Sequence, residues 1–325
     1  MKTCSSLLAA PLLVVSALAS LPGCTSPGFN NHAALVLPAP PGAPQTVRQT
    51  PPVRGVRVTY FGTNSYLLQS RDGSVLVDPY FSRVGPLWAL ALGKPVSSRS
   101  DQVAEGFSHL PRRADLILVT HAHFDHLGDV PPVAARTGAA VALSSTGKNL
   151  AIAAGANQPQ LTAMRAGDRR RFGNVRVTAI DADHTRLFGR EVYPGTLSHP
   201  PPRPRLMKDW VVGEPLAWLV EMGGQRIYVE SGGIEKLPPS GIGPVDLAII
   251  GVPAKDSLAR FPHVVRLLQP RFVLPSHQDD FAKPLDRGFH FSITSDMAAV
   301  RRIHAEERLP GRLMLLDYYR PWELR

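Results

Sequence analysis

The stretch Ile117–Asp129, ILVTHAHFDHLGD, constrains this chain more than any other. The apolar run Ala114–Thr120 has strand length and no polar break, as a strand buried on both faces requires. Directly behind it come His121, His123, Asp125 and His126. A loop at the carboxyl end of a buried strand is where open sheets place ligands. Two histidines two apart on extended chain project to the same side. The aspartate and the adjacent histidine can serve a second point in space. One short loop can therefore hold two metal ions close together, as two-metal hydrolases require. A solvated histidine-rich loop is the plainer alternative, and the cluster's position flush against a buried strand argues against it.

The rest of the chain alternates short strands with helices. Strands are expected at Val56–Phe61, Ser65–Ser70 and Ser74–Pro79, with Arg71–Gly73 as a hairpin turn. More follow at Ala114–Thr120, Ala139–Ser144, Val175–Ile180, Leu216–Met222, Gln225–Glu230, Asp246–Val252 and Arg271–Ser276. Helices are expected at Thr146–Ala154, Ser257–Leu268 and Thr294–Glu307. Hairpin-rich β segments followed by strand–helix alternation, in two successive halves, predict an α/β fold of two packed sheets with helices outside.

The N-terminus has a different character. Lys2 precedes an apolar stretch, Leu7–Leu21, too short and too early for a spanning helix. It ends in Leu21-Pro22-Gly23-Cys24, which resembles the lipobox of bacterial lipoproteins. That resemblance implies a signal peptide over 1–23, a lipid on Cys24, and an envelope location, membrane-anchored and facing the periplasm. Thr25 follows the cysteine where inner-membrane retention would favour aspartate, which points to the outer membrane. Plain secretion by nearby cleavage is the alternative. Residues 24–52 are rich in Pro, Gly and Ala and read as an extended tether, leaving 53–325 as the folded domain. Both cysteines, Cys4 and Cys24, lie in this leader region. A metal site in the domain must therefore use His, Asp or Glu.

The H-x-H-x-D-H cluster resembles the signature of the metallo-β-lactamase superfamily, and the likeness extends from about Val56 to the C-terminus. It implies an αββα sandwich, two mixed β-sheets flanked by helices. Asp78 in LVDPYFS matches the family's early aspartate, which supports the metal loop from behind. His184 in AIDADHTR and His277 in VLPSHQDDF match the two later histidines. By this mapping His121, His123 and His184 would hold one metal, and Asp125, His126 and His277 the other. The family expects a bridging acid after a further strand, and Glu230 in IYVESGG stands at that place. It could bridge, or turn away and leave one site weak.

Zinc is the expected metal, with Mn or Fe as alternatives and two ions implied. Such ions supply hydroxide at neutral pH, with Asp125 binding metal and accepting a proton. The details of Leu110–Asp129 and Ser276–Leu285 look most like the branch containing N-acyl-phosphatidylethanolamine phospholipase D and L-ascorbate-6-phosphate lactonase. A phosphodiester or phospholipid-like substrate is therefore the leading expectation. A lactonase or β-lactamase activity, or a non-catalytic envelope binding module, are the alternatives. Two insertions, Arg83–Val96 and Thr185–Trp210, are expected to border the site. The second carries Arg186 and Arg190, which could meet an anionic group, and Leu87, Trp88 and Leu90 in the first could meet an acyl chain. Solvated or core-packed loops are the plainer reading of both. His290 is a further candidate substrate contact. The net charge of +10 favours a small-molecule or lipid-like anionic partner. No dense basic tract accompanies it, and no nucleic-acid role is expected.

Overall fold

The computed structural model describes residues 54–85, 89–90, 92–187 and 189–325. The leader, the tether, Cys24, Leu87 and Trp88 lie outside the described residues. The first sheet contains β1 (Val56–Tyr60), β2 (Tyr66–Ser70), β3 (Gly73–Val77), β4 (Leu116–Leu118), β5 (Ala140–Leu143) and β6 (Leu161–Ala163). The second contains β7 (Arg169–Phe172) and β8 (Val175–Asp181). A two-stranded hairpin, β9 (Arg186–Leu187) and β10 (Arg190–Glu191), stands apart. The second sheet continues with β11 (Leu216–Met222), β12 (Gln225–Val229), β13 (Leu247–Gly251), β14 (Phe272–Ser276) and β15 (Arg312–Leu313). The C-terminal β16 (Trp322–Leu324) returns to the first sheet beside β1. The strand orders are β16-β1-β2-β3-β4-β5-β6 and β15-β14-β13-β12-β11-β8-β7.

Period-two alternation divides the apolar residues into layers. Val58, Leu68, Val75 and Leu116 of the first sheet face Val177, Trp218, Val220 and Ile249 of the second, forming the core between the sheets. The opposite face of the first sheet packs on helices α1 (Ser100–Ser108), α2 (Phe124–Leu127), α3 (Val130–Thr137) and α4 (Ser145–Ala153). The opposite face of the second packs on α5 (Phe261–Leu268) and α6 (Met297–Glu306). The result is the expected αββα sandwich. Both faces of each sheet are covered, which explains why the strands read as continuous apolar runs. Trp218 sits fully buried in the middle, and its indole N–H donates to the Val119 carbonyl at 3.2 Å. That bond fixes the strand that precedes the histidine cluster.

Helix boundaries follow local chemistry. Ser144 caps α4, its hydroxyl accepting from the Gly147 amide at 3.2 Å. Asp296 caps α6 through the Ala299 amide at 2.9 Å. The helix expected from Ser257 begins only at Phe261. Pro262 occupies the first turn, where its missing N–H costs nothing, and a 3₁₀ turn at Lys255–Ser257 precedes it.

β3, β4 and β5 run parallel, as do β12, β13 and β14. β8 is antiparallel to β11, and β11 to β12, so β8 points the same way as β12. The carboxyl ends of these strands therefore share one edge of each sheet. A buried network ties that edge together. Asp279 receives Thr63 N at 2.7 Å, the Tyr60 hydroxyl at 3.1 Å, Arg83 Nη1 at 2.9 Å and the Tyr318 hydroxyl at 2.6 Å. Arg83 Nη2 also donates to the Phe61 carbonyl at 2.9 Å. Both side chains of the Arg83–Asp279 pair are fully buried. Removing one partner strands the other charge in the core, so Arg83→Ala is expected to cost about 3–5 kcal/mol in denaturant unfolding. Arg99→Ala, which breaks an exposed pair with Asp101, should cost no more than about 1 kcal/mol. Equal effects of the two would contradict this account of the edge.

Candidate metal centre

The HxHxDH segment leaves β4 as extended chain and turns into α2 at Phe124, with His123 as the last non-helical residue. The turn explains the division of ligands. His121 and His123 precede it on extended backbone, whereas Asp125 and His126 lie on the helix and face elsewhere. Across the edge, His184 follows β8 and His277 follows β14. Two groups result, His121–His123–His184 and Asp125–His126–His277, with each group's candidate ligand atoms within 4.8 Å of one another.

Four of the five rings are oriented by what the second nitrogen touches. His126 Nδ1 lies 2.8 Å from Asp78 Oδ2, so it carries a proton and turns Nε2 toward the site. His123 Nε2 lies 3.0 Å from the Val192 carbonyl, and His184 Nδ1 lies 2.6 Å from the Thr185 carbonyl. Those carbonyls can only accept, which leaves His123 Nδ1 and His184 Nε2 bare. His121 Nδ1 is 3.3 Å from the Thr120 hydroxyl and 3.2 Å from the Ser231 hydroxyl. The remaining nitrogens converge: His121 Nε2 is 3.0 Å from His123 Nδ1, and His126 Nε2 is 3.2 Å from His277 Nε2. Converging ring nitrogens, four of the five rings fixed from behind, are the arrangement a divalent cation fits once it displaces the proton of His126.

Asp78 is the fixed point behind this arrangement. Its carboxylate also accepts Thr120 N at 2.7 Å, Thr120 Oγ1 at 2.6 Å and Asn64 Nδ2 at 2.8 Å. Three non-glycine residues here hold positive φ: Thr63 at 55°, Asp78 at 39° and His277 at 56°. Such conformations cost free energy and persist where surroundings fix them. His277 is fixed by its own amide, which donates to the Thr63 carbonyl at 2.7 Å.

Burial pushes His123 down to about 3 and His184 down to about 4, and it lowers His121 as well. These rings are neutral at neutral pH, the form that binds metal. Burial also acts to lower His126, but the Asp125 and Asp78 carboxylates outweigh it and raise the group to about 10. Asp125 feels burial upward and the His126 and His277 rings downward, and the rings prevail.

Glu230 does not join either group. Arg260 Nη1 and Nη2 donate to its two oxygens at 2.5 and 2.7 Å, and the Tyr228 hydroxyl donates at 2.7 Å. The carboxylate is buried and fully engaged on the helix-facing side of the second sheet. The reason is strand parity. Ile227 and Val229 face the core between the sheets, so Tyr228 and Glu230 face away from it. The next residue, Ser231, turns back and reaches His121. Of the two outcomes the motif leaves open for Glu230, period two along QRIYVES selects the one in which it turns away.

The rim residues are placed as follows. Arg186 and Arg190 lie exposed on the β9–β10 hairpin, with Arg186 loosely paired to Glu235 at 3.6 Å. The chain after the hairpin runs across the metal loop, through the Val192 bond to His123 and through Ala122 N to the Val212 carbonyl at 3.0 Å. His290 is exposed, with a ring nitrogen 3.2 Å from the Arg287 carbonyl. Leu90 is buried in the outer core of the first sheet. Sequence reasoning did not single out Thr120, Asn64, Ser231, Val192 or Phe281, whose ring centre lies 6.0 Å from that of His277. None of these residue types carries a motif of its own.

Residues 57–277 match the family model described as a beta-lactamase superfamily domain. The chain belongs to the beta-lactamase superfamily. It is 29% identical over 265 residues to a UPF0173 metal-dependent hydrolase of Heliobacterium modesticaldum, covering 77% of this chain and 90% of that one. It is 25% identical over 266 residues to a UPF0173 metal-dependent hydrolase of Thermus thermophilus, covering 81% and 100%. Among solved structures, the metallo hydrolase Igni18 of Ignicoccus hospitalis superposes with a TM-score of 0.54 at 16% identity, over 83% of this chain and 99% of that one. At that identity the likeness concerns the fold.

Two substitutions separate the acids. Asp78→Asn should weaken metal binding about 10–100-fold in a chelator competition, because it loosens His126 and Thr120 together. Glu230→Gln should lower stability and leave metal stoichiometry unchanged. Loss of an ion in Glu230→Gln would contradict the placement of that carboxylate.

Proposed function

We propose that this metal-dependent hydrolase acts on a phosphodiester or phospholipid-like anionic substrate, with two divalent ions, zinc by preference, held by the two histidine groups. The observation that carries this reading is the pair of adjoining buried groups beneath an arginine-bearing hairpin. Ions bound there would polarise the substrate oxygen and make water nucleophilic at neutral pH.

The chain's own residues supply the rest. Asp125 is the one carboxylate within the two groups and serves as proton acceptor for the attacking water. Asp78 holds His126 in one tautomer, and the Val192 and Thr185 carbonyls do the same for His123 and His184. Arg190 and Arg186, the latter in an exposed pair with Glu235, extend from the hairpin as cations able to meet phosphate oxygens. The net charge of +10 adds a field that draws anions in. Exported to the cell envelope and lipid-anchored at Cys24, the domain would work at a membrane surface, probing it at the reach of the Pro-rich segment 24–52.

With zinc or manganese present, the full chain should hydrolyse bis-p-nitrophenyl phosphate, and His123→Ala should abolish turnover. Arg186→Ala and Arg190→Ala should raise KM several-fold with less effect on kcat. Fatty-acid labelling in a bacterial host should disappear in Cys24→Ala. Turnover of neutral lactones or β-lactams without phosphodiester turnover would overturn the substrate class. Tight metal binding with no hydrolysis of any of these would favour a binding module.

A further inference from the structure

The two metal groups are unequal in charge. The first consists of three imidazoles, all neutral when they ligate. The second contains the Asp125 carboxylate, and Asp78 stands directly behind its His126 at 2.8 Å. Among the described residues no acid is common to the two groups. Glu230 is locked to Arg260 and Tyr228, and the two glycines after Ser231 leave no room for a side chain. A Cβ on Gly232 would stand 2.8 Å from Thr185 Oγ1 and 2.9 Å from Pro253 Cδ. A Cβ on Gly233 would stand 2.3 Å from Asp183 Oδ1. Asp183, next to His184 in the chain, gives one oxygen to the amides of Ile234 and Glu235, at 3.0 and 2.7 Å; its other oxygen is buried without a hydrogen bond and belongs to neither group. What the loop offers His121 instead is the uncharged Ser231 hydroxyl, at 3.2 Å.

Ligand charge, not depth, carries this difference. His121 and His123 are buried and His184 partly so, while Asp125, His126 and His277 are all buried, so a dication is dehydrated in both groups and only the second offsets that loss with a ligand charge. The second group provides that charge from Asp125 in direct contact and from Asp78 one hydrogen bond away. The Arg260 guanidinium, which could oppose a cation near Ser231, is neutralised by Glu230 and held in place by the Lys236 carbonyl at 2.5 Å. The pair thereby clamps residues 230–236, and with them Ser231, against the first group.

We propose that the two groups fill in order: Asp125–His126–His277 takes its divalent cation first and holds it more tightly, and His121–His123–His184 fills second. This rests on the metal-dependent reading above. Ordered filling makes the second equivalent the adjustable one, so the protein passes through a one-ion form over a window of metal concentration.

The test is calorimetric titration of the metal-stripped full chain with zinc, checked by chelator competition. Two steps are expected, the first at least about tenfold tighter than the second. His184→Ala should keep the tight step and lose the weak one. His277→Ala should lose the tight step and keep the weak one, with circular dichroism confirming that each variant is folded. A single step of two equal sites would overturn the proposal, as would a tight step that survives His277→Ala and vanishes in His184→Ala. Those results would leave the metal-dependent reading intact. Failure of the wild-type chain to bind any zinc, manganese or iron would instead overturn that reading, and the proposal with it.

Discussion

The Asp78 carboxylate is the interaction on which the site depends. It lies at the end of β3 with φ of 39° and is fully buried. Its partners come from three places: Asn64 between β1 and β2, Thr120 at the end of β4, and His126 on α2. A buried carboxylate without such partners would cost several kcal/mol, so the position is stable only when all of them arrive. Thr120 brings His121 with it, and Asn64 brings the Ser276 hydroxyl at 2.7 Å, next to His277. One acid thus sets the positions of three metal-binding rings on two sheets.

Other buried acids act as fasteners and are kept out of the chemistry. Asp129 accepts the amides of Phe81 and Ser82 and the hydroxyls of Ser82 and Ser98. Asp279 joins Thr63, Tyr60, Arg83 and Tyr318. Glu230 is bound to Arg260. Each is saturated by donors and so cannot also ligate. Asp125 is the exception, engaged only by the His126 and His277 rings. That division leaves one carboxylate free to ligate among the five buried acids of the described residues, which is the basis for proposing Asp125 as proton acceptor and the two groups as unequal.

Much of this was legible in the sequence, for identifiable reasons. The strand Ala114–Thr120 announced its burial by an unbroken apolar run, and the histidines behind it announced a ligand loop. His184 and His277 were legible because the family resemblance expects a histidine shortly after each of two later strands, and these stand three and one residues past β8 and β14. Asp78 was legible through its family motif. The β7 strand, Arg169–Phe172, was not, because its residues are largely exposed and three are arginines. The edge strands β15 and β16 are only two and three residues long, too short for periodicity to register. Glu230 is left open by the motif between bridging and turning away, and strand parity, the unused signal, decides for turning away. Its true partner, Arg260, lies 30 residues away, and no local pattern links the two. Backbone carbonyl partners such as Val192 leave no trace in residue type at all.

The central claim is that two three-residue groups, without a bridging acid, form the metal centre. Anomalous diffraction at the metal edge, from crystals of the zinc-loaded protein, tests it most directly. The account predicts one peak among His121, His123 and His184, a second among Asp125, His126 and His277, and Glu230 still paired with Arg260. A peak coordinated by Glu230, or metal bound elsewhere with these groups empty, would contradict it.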